Sequence, residues 1–215
     1  MTELPVAKVS VHLQRQWTAR EQLADLTPAT GVAALLTWSV DPHPVEAAVP
    51  DAVKCALASV LTRHGELAFH WASDTWPGPG EAAVHPAPRR SAARQLVERL
   101  SHCWPSAVVV TRSAAAAACL FDQDWDMQGQ AALLIAATGP RDSLLADLAT
   151  RRDWSSFDFP PPALALLAPA VDGYGALLAT AGQPLLDQLL AELADAFRAP
   201  ATAPHSSKSS SLGNG

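Results

Sequence analysis

Three carboxylates alternate along Phe121-Asp122-Gln123-Asp124-Trp125-Asp126-Met127-Gln128-Gly129. Oxygen ligands clustered in this way suit a hard cation such as Ca²⁺ or Mg²⁺. A calcium loop, however, needs a tight-turn glycine where Met127 stands and a terminal bidentate acid where Leu133 stands. The stretch therefore reads as a solvated hairpin turn carrying Trp125. Asp122, Asp124 and Asp126 are weak metal candidates, no metal site is assigned, and no cofactor is expected.

His64, His70, His85 and His102, with Cys103, supply the ligand types that zinc takes. Their spacing matches none of the compact zinc patterns. His102 and Cys103 are neighbours at a predicted helix end, where adjacent side chains point about 100° apart, so joint ligation would require that end to fray. A thiol beside an imidazole in sequence is also not the geometry that generates a thiolate pair. No G-x-S-x-G elbow is present. His70, His102 and Cys103 are the catalytic candidates, none with an assigned role, and Glu66 with Glu81 is an acid–base pair of the kind any chain this size offers. Gly78-Pro79-Gly80 places proline where a phosphate cradle needs free amides, and no Gly-Lys-Ser or Gly-Lys-Thr follows.

The chain carries a formal net charge of -6, and its basic residues scatter except for pairs such as Arg89-Arg90 and Arg151-Arg152. Binding a polyanion requires concentrated positive charge, so no nucleic-acid partner is expected. The N-terminal sequence lacks a basic region followed by an apolar stretch and a cleavage site. The apolar runs near 31–38 and 131–137 fall short of the roughly 20 residues that cross a bilayer, and no membrane insertion is expected. Cys55, Cys103 and Cys119 form no C-x-x-C pair and are odd in number. That usage predicts reduced, mostly buried thiols and a cytoplasmic protein.

The elements that must position these residues are legible from periodicity. Val9, Val11 and Leu13 alternate with polar residues, predicting a strand over 6–13. Thr18 and Glu21 form a capping box for a short helix over 18–26. The apolar run 31–40 predicts a central strand, and Asp51 opens a helix closed by His64-Gly65. Leu67, Phe69 and Trp71 predict the next strand. The proline- and glycine-rich segment 73–90 reads as a long irregular loop, Ser91 as a helix cap, and Ala107–Val110 as a strand.

Two segments of the second half resemble each other. Residues 115–150 read as strand, acidic turn, strand and helix, and residues 163–198 read the same way, with Ala132-Leu133-Leu134 matching Ala176-Leu177-Leu178. A degenerate duplication of a strand-strand-helix unit would give an α+β fold, a largely antiparallel sheet with helices mainly on one face. An Ala- and Leu-rich composition produces such matches cheaply. The expected organisation is one globular domain over 1–199, with halves at 1–112 and 113–199, followed by a disordered tail over 200–215. The tail holds a single leucine, Leu212. Burying it returns about 1.5–3 kcal/mol, against about 1–2 kcal/mol for fixing each residue's backbone. Truncation after Ala199 is expected to leave the thermal midpoint nearly unchanged.

Seven tryptophans are more informative than the charges. Trp76 in the Pro/Gly loop and Trp125 in the acidic turn are expected to be the most exposed, and such residues are common at interaction hot spots. The leading expectation is a non-catalytic protein-binding protein of the immunity, adaptor or assembly-accessory type. It would present Trp76 and His85 on the 73–90 loop, and Asp122, Asp124, Trp125 and Asp126 on the 121–129 turn, to a protein partner. Two alternatives are a small hydrolase using the clustered aspartates and a histidine, with or without a divalent metal, and a self-associating structural subunit that forms a homodimer.

Overall fold

The computed structural model describes residues 8–14, 28, 30–41, 51–71, 75–86, 107–122, 131–149, 151, 153–169 and 175–198. In chain order the elements are β1 (Lys8–Gln14), β2 (Val32–Asp41), α1 (Asp51–His64), β3 (Glu66–Trp71), β4 (Ala83–Pro86) and β5 (Ala107–Thr111). They continue with α2 (Ala114–Asp122), β6 (Ala132–Ile135), α3 (Asp142–Leu148), β7 (Ala163–Pro169), β8 (Gly175–Thr180) and α4 (Gln183–Arg198). The strands form one sheet in the order β1-β2-β8-β7-β6-β3-β5-β4, and each neighbouring pair is antiparallel. The expected α+β class is therefore observed.

Side chains alternate across the sheet, and both faces are buried. Leu67, Phe69, Val109 and Leu134 point into a core made with α1, α2 and α4, which contribute Leu57, Leu61, Leu120, Phe121, Leu189 and Leu193. Ala68, Val108, Val110, Leu133 and Ile135 point to the opposite face, where α3 and the loop 153–159 pack. Burial on both sides explains why β5, β6 and β8 read as unbroken apolar runs rather than as alternating ones. Three of the four described helices share one face, as the antiparallel pattern predicts.

Glycines permit two close approaches. At Gly65, a Cβ would lie 2.2 Å from the carbonyl oxygen of Ile135, so only glycine lets the turn after α1 press against β6. Gly31 has φ of 86°, and a Cβ there would lie 2.3 Å from the carbonyl oxygen of Thr180. Both residues seat a strand start directly on its neighbour.

Several sequence expectations change. The opening of 115–150, expected to be a strand, lies in the helix α2. Five consecutive alanines have the highest helix propensity, and Ser113 caps the helix, its hydroxyl accepting the amide of Ala116 at 3.3 Å. The described residues of 114–148 thus run helix, strand, helix, whereas β7-β8-α4 keeps the expected strand-strand-helix order. Among the described elements that order also appears at β1-β2-α1, with β2 antiparallel to β8 and α1 against α4. The loop 73–90 contains the short strand β4, which pairs with β5 despite the surrounding prolines. Cys55 is exposed and Cys119 half-buried, so the buried-thiol expectation fails for both. The predicted helices over 18–26 and from Ser91, the acidic turn from 123 onward and the tail lie outside the described residues.

Candidate functional site

The three strands β3, β5 and β4 end the sheet on one side, and their register decides what gathers there. Val108 of β5 lies opposite His70 of β3 and also opposite His85 of β4. Residues facing one another in an antiparallel pair share a face, so both histidines stand on the α3 side with Val108 between them. Two strand spacings separate them, about 10 Å. Glu66 and Ala68 of β3, Val110 of β5 and Ala83 of β4 complete this face by the two-residue period.

The short helix α3 overhangs this end of the sheet. Leu144, Leu145 and Leu148 bury its inner side, and the guanidinium of Arg141, the residue before it, donates a hydrogen bond to the Glu66 carboxylate. Below its first turns lies a cavity of about 230 Å³ lined by His85, Pro86, Asp142, Leu145 and Ala146. The Nε2 atom of His85 is buried and has no hydrogen-bond partner among the described residues. Leaving a buried polar atom unpaired costs about 1–3 kcal/mol. A wider, more open cleft of about 760 Å³ adjoins the start of β4, lined by Glu66, Glu81, Ala83, Val110, Arg112 and Ser113 among others.

The turn that leads into β4 is held by one local hydrogen bond and by one from β5. Trp71 donates its indole N–H to the carbonyl of Thr75 at 2.8 Å, and the Thr111 hydroxyl donates to the carbonyl of Glu81 at 2.6 Å. Trp76 is half-buried against the three-helix core, its ring 5.1 Å from that of Trp71. It lies so close over Gly78 that a Cβ there would approach the ring to 2.3 Å. Its indole nitrogen is buried without a hydrogen-bond partner among the described residues. Trp76 and His85, both candidates from sequence, therefore flank β4 from opposite faces.

The remaining candidates are not brought into this site. Asp122 is the last residue of α2, and its side chain, together with Asp124, Trp125, Asp126, His102 and Cys103, lies outside the described residues. Among the described residues no three His, Cys, Asp or Glu side chains gather to hold a metal ion. Asp142 and Arg141 were not singled out from sequence. The signal available was a charged Arg-Asp pair heading an apolar helix, but its partner Glu66 is 75 residues away.

A second polar group lies on the other face and joins helices. Glu192 of α4 accepts hydrogen bonds from Arg63 at 2.8 Å and pairs with His64 Nε2 at 2.9 Å, both from the end of α1. The Arg63 hydrogen bond, with that of His64, holds the Glu192 carboxyl at about 2, against the opposing effect of burial.

No protein-family model, curated protein or solved structure matches this chain. No described helix is long and apolar enough to cross a membrane.

Proposed function

We propose that this is a non-catalytic binding protein that docks an extended segment of a protein partner along the free side of β4. The observation that carries the reading is the position of β4. Among the described residues it ends the sheet and pairs on the β5 side alone. An edge strand presents unpaired N–H and C=O groups to an added strand, and the side chains on its two faces supply the specificity. Here one face offers the His85 cavity and the other the Trp71–Trp76 pair. Pro86 ends the strand and limits how far an added segment can continue in register.

Proline substitution tests this reading. Successive residues of an edge strand direct their N–H groups alternately toward the neighbour and outward. Of Val84→Pro and His85→Pro, one therefore breaks the β4–β5 ladder and the other removes an outward donor. A partner recovered stoichiometrically on wild-type protein, with cross-links to residues 83–86, is expected to be lost on the outward variant while its circular dichroism is unchanged. Equal recovery on both variants, or cross-links confined elsewhere, would overturn docking at β4.

A further inference from the structure

We infer that the cavity between β4 and α3 takes a basic side chain, lysine or arginine, of the segment docked along β4, an assignment that rests on the edge-strand reading above. Its lining has a consistent chemical order. Among the described residues the buried Nε2 of His85, which lines the cavity, has no hydrogen-bond partner, and a neutral imidazole with its proton on Nδ1 offers that atom as an acceptor. Asp142, exposed at the start of α3, places a carboxylate on the same cavity. Leu145, Ala146 and Pro86 supply apolar wall between them. An apolar stem ending in a donor-only cation matches this sequence of surfaces, since the stem lies along hydrocarbon while the head meets acceptors.

Size and charge agree. At about 30 Å³ for each water-sized group, the five heavy atoms of a lysine side chain need roughly 150 Å³, within the cavity's 230 Å³. The nearby Arg141 is engaged by Glu66, and Arg112 stands with Glu81 in the adjoining cleft rather than in the cavity. An acidic side chain would meet Asp142 directly, and a purely apolar one would leave His85 Nε2 unpaired. The net charge of -6 also favours the encounter with a basic segment.

The test uses blocked five-residue peptides, acetyl-Thr-Val-X-Val-Thr-amide, with X as lysine, arginine, norleucine or glutamate. Binding to the full chain is followed by nuclear magnetic resonance at the Val84 amide and the His85 ring nitrogens. The lysine or arginine peptide is expected to bind about tenfold more tightly than the norleucine peptide, to move the His85 ring signals saturably, and to lose that advantage in Asp142→Asn and in His85→Leu. If norleucine perturbs the Val84 amide as strongly as lysine and arginine do, the cavity assignment falls while edge docking stands. If the basic peptides move the His85 ring but not the Val84 amide, the cavity binds cations and edge docking falls. Preference for glutamate overturns the sign of the assignment, and no response to any peptide overturns both.

Discussion

The α3-bearing face of the sheet has two ends built on opposite principles. Over β7, β8 and β2 the loop 153–159 seals the sheet with Trp154, Phe157 and Phe159, their rings edge to face at 5.1 Å in succession. Arg151 lies over two of these rings, 5.5 Å from Trp154 and 5.6 Å from Phe157, and ties them to α3 through Asp147 at 2.8 Å. The Thr30 hydroxyl fixes the loop to the start of β2 by donating to the carbonyl of Phe157. Over β3, β5 and β4, the same face carries His70, His85 and a cavity, with a buried His85 nitrogen that has no hydrogen-bond partner among the described residues. One end gains stability from every group it buries. The other gives some up, and unmet polar groups of that kind are most intelligible where a ligand supplies the partner.

Opening the sealed end gives the largest expected effect. Trp154 is 1% exposed, and truncating so large a buried ring removes transfer energy and leaves a cavity. Trp154→Ala is expected to cost about 3–5 kcal/mol in urea denaturation and to leave peptide binding at β4 unchanged at temperatures where the protein stays folded. A loss below about 1 kcal/mol would show that the loop does not seal this face.

Loosening the clamp on that end comes next. Arg151→Ala removes a partly buried ion pair and two cation–π contacts, and a loss of about 1–2 kcal/mol is expected. Arg151→Lys is expected to recover less than half of it, because an ammonium lacks the planar fork that stacks on rings and bonds Asp147 together. Full rescue by lysine would reduce the clamp to simple charge.

Closing the polar end reverses the sign. His85→Leu replaces an imidazole with an unpaired buried nitrogen by an apolar side chain, and a gain of about 1 kcal/mol is expected, together with the loss of preference for basic peptides. A substantial loss of stability would show that His85 is a structural residue and that the two ends do not differ as described.

The smallest effect separates this face from the helical one. Because the Glu192 carboxyl is lowered from its ordinary value of 4.5 to about 2, its contribution is fully present above pH 4.5 and is lost as pH falls from 4.5 toward 2. Glu192→Gln is expected to flatten the acid limb of stability in that window and to leave stability at pH 7 only slightly reduced, since the pair is partly solvated. An unchanged acid limb would mean that Arg63 and His64 do not hold α1 to α4 through this carboxylate.

Local pattern alone was sufficient to place α1, β3 and β5. Their periods, caps and glycine stops act within a few residues. The antiparallel α+β class followed from the same information. At 114–122 the reading failed because an apolar run ending in Cys119-Leu120-Phe121 suits a buried strand or a buried helix, and the alanines with the Ser113 cap decided for helix. At β4 it failed because Pro86 and its neighbours argue against a ladder, whereas an edge strand tolerates proline and needs pairing on one side alone. His70 and His85 were visible as residue types, but their common face was not. It depends on two registers through Val108, and a slip of one residue in either would send a histidine to the other side of the sheet. The cavity was invisible for the same reason: His85 and Asp142 belong to elements far apart in the chain, and only the packing of α3 over the β3-β5-β4 end brings them to one space. Apart from α2 and β4, sequence thus determined which short segments form, since that is largely a local matter. Tertiary structure alone decided which polar groups share a site, because that depends on strand order, register and the placement of one short helix.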